Sequence, residues 1–162
     1  MSDPIAKPRL LIVDDDPLIT DTLAYALGKD FEVLVSDSRN HAVSLLRQMD
    51  DAPQVALVDL GLPPVPHRPD EGFALIGDLL AHSPSMKIFV LSGQNDAANA
   101  RHARAIGASE FVAKPADPVN LKRILLHALQ FRAAELSGST SLEEGMLVGR
   151  SAATTSWKAP AR

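Results

Sequence analysis

The sequence predicts an α/β fold: five parallel β-strands in a single doubly wound sheet, with helices on both faces. Three observations carry that reading. Apolar runs of strand length alternate five times with longer stretches of helical spacing, the order expected of successive β-α-β units. The central run, Val55 to Val58, is apolar at every position, as in a strand covered on both sides. A length of 162 residues, 46% hydrophobic and 22% charged, suits one domain with a short appendage rather than two domains.

The elements follow in order. Leu10 to Val13 reads as the first strand, and Pro17 to Leu27 as a helix whose opening proline needs no amide partner, with Gly28 as its stop. Phe31 to Val35 is the second strand. Asn40 to Met49 is the second helix, with Ala42, Leu45, Leu46 and Met49 on one face, and Pro53 breaks the chain before the central strand. Leu60 to Glu71 holds four prolines and must be a loop, after which a helix runs from about Gly72 to His82. Lys87 to Leu91 is the fourth strand, Asp96 to Ile106 a helix closed by Gly107, Glu110 to Ala113 the fifth strand, and Asp117 to Leu136 the last helix.

Charge and composition exclude several functions. Sixteen Lys and Arg face twenty Asp and Glu, a formal charge of -4, so the basic excess that direct nucleic-acid binding uses is missing. Glu143 and Glu144 against Arg150, Lys158 and Arg162 leave the tail slightly positive, which places the acidity in the folded part. With no cysteine there can be no disulfide, thiolate metal site or thiol nucleophile. His41, His67, His82, His102 and His127 show no ligand spacing and read as surface or helix residues. The first seven residues form a polar tail, and no apolar run approaches the roughly 18 residues that span a bilayer, so a cytoplasmic protein without a membrane segment is expected. Past residue 136 the composition turns to Ser, Gly and Thr, so residues 137–162 read as a linker plus a fragment.

In an open parallel sheet, ligands bind beyond the carboxyl ends of the strands, so polar residues just after apolar runs are the candidates for chemistry. Strand one ends in Asp14-Asp15-Asp16, strand three in Asp59, strand four in Ser92 and strand five in Lys114-Pro115. Converging carboxylates repel one another unless a divalent cation, a shared proton or a cationic neighbour compensates. Oxygen ligands favour magnesium. Asp59 could then attack phosphorus to form an acyl phosphate, with Lys114 and the Ser92 hydroxyl stabilising its oxygens. Asp16, just before Pro17, is also a plausible helix cap, and capping explains it better than chemistry does.

Taken together, Leu10 to Pro17, Asp59 followed by Pro63, Leu91-Ser92-Gly93, and Phe111 with Lys114-Pro115 resemble the signatures of a response-regulator receiver domain over roughly residues 8 to 136. The resemblance implies a flavodoxin-like fold in which Asp59 accepts a phosphoryl group from a histidine kinase. It also implies Mg2+ held by Asp14, Asp15 and Asp59 with the main-chain carbonyl of Gly61, Asp15 being the favoured direct ligand. Ser92 matches the switch hydroxyl, Lys114 the phosphate-contacting lysine, Phe111 the aromatic that changes rotamer, and Pro115 the residue after a cis peptide bond. Phe111 reads equally well as plain core. The loop from Leu62 to Gly72 is a few residues longer than the short Pro-Gly-x-Asp-Gly loop common in the family, with consequences expected for kinase recognition or for the lifetime of the acyl phosphate. Leu147-Val-Gly-Arg-Ser151 is similar to the opening of the ATPase domain in sigma-54-dependent activators of the nitrogen-regulation type. No phosphate loop follows, so a truncated start of that domain, or an added tail, is expected.

Leu126, Phe131 and Leu136 fall partly off the core stripe of the last helix, which suggests a partner there, with a homodimer through the fourth and fifth helices as the first expectation. Two other functions compete with the switch. A haloacid-dehalogenase-type phosphohydrolase would use Asp14-x-Asp16, but Leu18 stands where Thr or Val is usual, the chain is short for that fold, and Asp59 would have no task. An unphosphorylated pseudo-receiver adaptor is opposed by the intact Asp59 and Lys114.

Overall fold

The computed structural model describes residues 7–93 and 97–145, with side chains described through residue 136. Its elements are β1 (Arg9–Val13), α1 (Pro17–Leu27), β2 (Glu32–Ser36), α2 (Arg39–Gln48), β3 (Val55–Val58), α3 (Asp70–His82), β4 (Lys87–Ser92), α4 (Ala97–Ala105), β5 (Glu110–Ala113) and α5 (Pro118–Gly145). The strands form one parallel sheet in the order β2-β1-β3-β4-β5, so the strand sequence reverses direction between β1 and β3. In such a sheet the crevice lies where the order reverses, outside the carboxyl ends of those two strands.

Alternation of side chains across the sheet builds two apolar layers. Leu11, Val13, Ala56, Val58, Ile88 and Val90 share a core with Ala42 and Leu46 of α2, Leu75, Ile76 and Leu79 of α3, and Ala103 of α4. The intervening residues Leu10, Ile12, Leu57, Phe89 and Leu91 are also buried and face the other way, toward the side of the buried Leu23 and Leu27 of α1 and Leu121 and Leu125 of α5. The central strands β3 and β4 are buried along almost their whole length, whereas β5 lies at an edge and is half-open. This is the doubly wound architecture the sequence predicts.

Where element ends differ from expectation, local hydrogen bonds give the reason. Helix α2 begins one residue early, at Arg39, because Ser38 caps it: the Ser38 hydroxyl accepts from the His41 amide at 3.2 Å. Helix α3 begins at Asp70, with the Pro69 carbonyl taking the Phe73 amide and two acidic residues in the first turn suiting the helix dipole. Gly107 closes α4 with a φ of 117°, the left-handed backbone that glycine adopts without strain. Gly28 ends α1 in a right-handed conformation instead.

Helix α5 runs past the expected end at Leu136 to Gly145. No proline interrupts residues 119–159, and an established helix extends by one hydrogen bond for each residue added. The chain divides into two compact units, residues 1–126 and 127–162. The first contains the sheet, its helices and the start of α5; the described part of the second is helical. The expected Leu147–Ser151 motif and the tail through Arg162 lie outside the described residues. Among the described residues no helix is long and apolar enough to cross a membrane.

Candidate functional site

Strand register assembles the site. Val13 pairs with Val58, so the next residues, Asp14 and Asp59, emerge level with each other at the carboxyl ends of β1 and β3. The Asp59 amide donates to the Val13 carbonyl at 2.9 Å, extending the ladder to the acidic residue itself. Ser92 pairs with Ala113, and the Lys114 amide donates to the Ser92 carbonyl at 2.8 Å, which brings the lysine to the same rim. The parallel sheet thus gathers residues more than forty positions apart without any local sequence relation.

The Lys114 ammonium lies 2.8 Å from Asp14 Oδ2 and 3.6 Å from Asp59 Oδ2. Asp14 Oδ1 accepts the Asp16 amide at 3.0 Å, and Asp59 Oδ1 accepts the Gly61 amide at 3.3 Å. Asp14, Asp59 and Ser92 are buried, whereas Asp15 is exposed. These residues line a cavity of about 300 Å3 together with Asp16, Gly61, Asn99 and part of the proline-rich loop. Asp16 serves as the cap of α1, its carboxylate accepting the Leu18 amide at 3.0 Å, as expected. The Lys114–Pro115 bond is cis, and so is Pro63–Pro64, which the sequence did not suggest.

Burial and charge act against each other here. Removal from water pushes the Asp59 carboxyl up to about 6, with the charges of Asp14 and Asp15 adding to the shift and Lys114 and the Gly61 amide opposing it. Burial also disfavours the Lys114 ammonium, but contact with Asp14 and the charge of Asp59 outweigh it and hold the lysine above its ordinary range.

The donor set fits a hard divalent cation. Asp14, Asp15 and Asp59 each offer a carboxylate oxygen, all within 4.8 Å of one another. Asp14 Oδ2 is buried without a hydrogen bond; Lys114 meets it as an ion pair, so a lone pair remains for coordination. Among the described residues this is the single group of three or more His, Asp or Glu side chains close enough to share an ion.

A stability consequence follows. Because the folded state raises the Asp59 carboxyl from 3.8 to about 6, it binds that proton more tightly than the unfolded chain does. Stability of the metal-free protein should therefore fall as pH rises from about 4 to about 6, and level off above that. Asp59→Asn removes the buried charge, and we expect it to stabilise the chain by about 1–2 kcal/mol at neutral pH in chelator. Urea unfolding of both proteins across this pH range checks it. Parallel pH profiles would contradict the buried-charge account.

Phe111 does not line the cavity. It sits on the edge strand β5, partly buried and packed against the core. Sequence reasoning missed Arg39, whose guanidinium bonds Asp78 of α3 at 2.8 Å and pairs with Glu71 at 3.4 Å, tying the start of α2 to α3. It also missed the edge-to-face contact of Phe73 and His102, with ring centroids 4.4 Å apart. The length of the proline-rich loop was legible, but not its path: the Pro66 carbonyl folds onto Gly61, where a Cβ would lie 2.1 Å from that oxygen. Pro66, His67 and Arg68 therefore reach the cavity.

Residues 10–126 match the family model described as the response regulator receiver domain. The transcriptional regulatory protein CreB of Escherichia coli (strain K12) is 32% identical over 113 residues, which cover 69% of this chain and 46% of CreB. The photosynthetic apparatus regulatory protein RegA of Rhodobacter capsulatus is 30% identical, covering 72% of this chain and 60% of that protein. A cyclic di-GMP phosphodiesterase of Thermotoga maritima is 29% identical, the match covering 76% of this chain and 31% of the enzyme. Among solved structures, NtrX from Brucella abortus is similar with a TM-score of 0.74 and 25% identity, covering 90% of this chain and 32% of NtrX. A CheY-like receiver domain protein from Methanospirillum hungatei has a TM-score of 0.72 and 25% identity, covering 80% of this chain and 99% of that one. The chain thus spans only part of the length of these curated relatives, and what it shares with all of them is one domain. With its five strands in receiver order, its acidic strand ends and the family match over most of its length, this chain belongs to the response regulator receiver domain family.

Proposed function

We propose that this chain is the phosphoacceptor of a two-component signalling protein, with Asp59 as the residue that takes the phosphoryl group. The observation that carries the reading is the placement of the Lys114 ammonium between two buried carboxylates, 2.8 Å from Asp14 and 3.6 Å from Asp59, with Asp15 completing an oxygen cluster. Receiver domains in general are phosphoacceptors rather than enzymes, bind Mg2+ at such an acidic pocket and interact with histidine kinases.

A carboxylate oxygen of Asp59 attacks the phosphorus of a phosphohistidine. The new O–P bond forms as the N–P bond breaks, and the imidazole leaves with the electron pair and takes a proton from solvent. Asp14, Asp15, Asp59 and the Gly61 carbonyl would hold Mg2+, whose charge would offset that of the phosphoryl oxygens. Lys114 shifts from its carboxylate partners toward the phosphoryl group, and the Ser92 hydroxyl, buried at the end of β4 in the lining of the same cavity, is proposed to donate to those oxygens. Movement at Lys114 and Ser92 pulls on β5 and β4, with Phe111 packed beside them as the candidate switch aromatic. The dehalogenase-type alternative needs Asp16 as an acid–base partner of Asp14, yet the Asp16 carboxylate is engaged in capping α1.

Intact-mass measurement with a small acyl-phosphate donor tests this: one phosphoryl group is gained with Mg2+ and none in chelator. Uptake independent of a divalent cation would sink the reading.

The output is proposed as transcriptional control by a longer protein of the NtrX type, in which residues 8–136 form the receiver and residues 137–162 lead toward the next domain. Two copies are proposed to pair through α4 and α5, where Leu126 is half-buried; further along α5, Phe131 and Leu136 are exposed. Sedimentation should register tighter pairing with beryllofluoride, and Leu126→Glu should weaken it. Identical profiles in all samples would remove self-association as the output.

A further inference from the structure

The cavity at the ends of β1 and β3 presents an electrostatic difficulty for its own substrate. A phosphoryl donor arrives as an anion, and the described side chains lining the cavity include four carboxylates, those of Asp14, Asp15, Asp16 and Asp59. Lys114 is already engaged with two of them. Even with Mg2+ held there as proposed above, the four carboxylates outweigh the ion and Lys114 together, so a dianion approaching from solvent gains from further positive charge at the mouth.

The loop between β3 and α3 supplies it. Its entry is held by Leu60 and Leu62, both buried. Its middle folds back so that the Pro66 carbonyl covers Gly61, and its exit is held where the Gly72 amide donates to the Leu60 carbonyl at 3.2 Å. This path brings Arg68 into the lining of the cavity beside Pro66, His67 and Pro69. The guanidinium is largely exposed, and its partner is Asp70, at 3.4 Å and equally exposed. Such a solvent-screened pair is weak and exchanges easily for a better anion. Arginine is well suited to the exchange, since its planar fork matches a phosphoryl group in a bidentate contact.

We propose that Arg68 is a docking residue for the phosphoryl group of the incoming donor, leaving Asp70 to contact it at the cavity mouth. The inference rests on Asp59 being the phosphoacceptor and adds a specificity element that the extended loop brings to it. Because Arg68 stands at the rim, its contact is made equally before and during transfer. It therefore lowers the donor concentration needed without changing the rate at saturation.

The test measures initial phosphoryl uptake by intact mass against the concentration of acetyl phosphate, with Mg2+ present, in wild type, Arg68→Gln, Arg68→Lys and Asp70→Asn. Arg68→Gln should raise the half-saturating concentration by about 3- to 10-fold and leave the saturating rate unchanged. Arg68→Lys, which keeps the charge but not the fork, should recover part of the shift, Asp70→Asn should lower the half-saturating concentration, and high salt should narrow all the differences. The exposed side chains make misfolding no explanation for a change, and equal thermal midpoints verify that. Equal half-saturation in wild type and Arg68→Gln, or equal shifts in Arg68→Gln and Arg68→Lys, would overturn the docking role while leaving Asp59 as phosphoacceptor. A wild type that takes up no phosphoryl group would overturn the phosphoacceptor reading, and the docking role with it.

Discussion

Asp59→Asn is expected to gain no phosphoryl group under conditions in which the wild type gains one, a loss of at least about 1,000-fold on the scale seen when a covalent nucleophile is removed. The amide is close in size to the carboxylate, so the cavity keeps its shape, and with the buried charge gone the variant should be the more stable protein in chelator. Lost labelling therefore cannot be ascribed to lost folding. Asp14→Asn separates the two carboxylates. It leaves Asp59 as nucleophile but removes one oxygen ligand and the closest partner of Lys114, at 2.8 Å, so labelling should persist with a higher Mg2+ requirement. The reverse pattern, labelling retained in Asp59→Asn and abolished in Asp14→Asn, would make Asp14 the nucleophile. Intact mass at several Mg2+ concentrations distinguishes the two patterns.

The second large effect is structural. Gly72→Ala should destabilise the chain by about 2–3 kcal/mol, because its Cβ would lie 2.3 Å from the Leu60 Cα and 2.7 Å from the Leu60 carbonyl oxygen. Those neighbours are backbone, fixed one residue beyond Asp59, and cannot turn aside as the end of a side chain could. Relief requires α3 or the loop to move, and the loop carries both the Gly61 amide that bonds Asp59 and Arg68. Slower phosphoryl uptake should accompany the lost stability. Gly77→Ala, in the same helix, is the control: beyond the helix's own backbone and its chain neighbours no atom lies within 4 Å of the added Cβ, and alanine is the better helix former, so a gain of up to about 1 kcal/mol is expected. Thermal unfolding compares the two. Similar shifts for both would mean that α3 does not approach the loop as closely as described.

Much of the sheet, and the convergence of most candidate site residues, were legible in the sequence. Fully apolar strands such as Val55 to Val58 have one stable location, a central position covered on both faces, and the acidic residue after such a run must emerge at its carboxyl end. That logic, applied strand by strand, assembled Asp14, Asp59, Ser92 and Lys114, and the structure places all four around one cavity. Helix starts were less legible, since Ser36, Asp37 and Ser38 are all residue types that cap helices and the choice among them is made by single hydrogen bonds.

The sequence by itself determined the alternation of strands and helices, the residues each strand delivers to its end, and the acidic character of the folded part. These depend on periodicity and on chain direction, which are local properties. The tertiary structure alone decided the register that brings Asp14 level with Asp59, the bridge from Arg39 to Glu71 and Asp78, and the fold of the proline-rich loop over Gly61 that sets Arg68 at the cavity mouth. The physical reason is that a loop without a hydrophobic period has no preferred path of its own. Its course follows from the surfaces it is tethered to, here Leu62 in the core and Gly72 against Leu60, and those surfaces exist only once the sheet and α3 have packed.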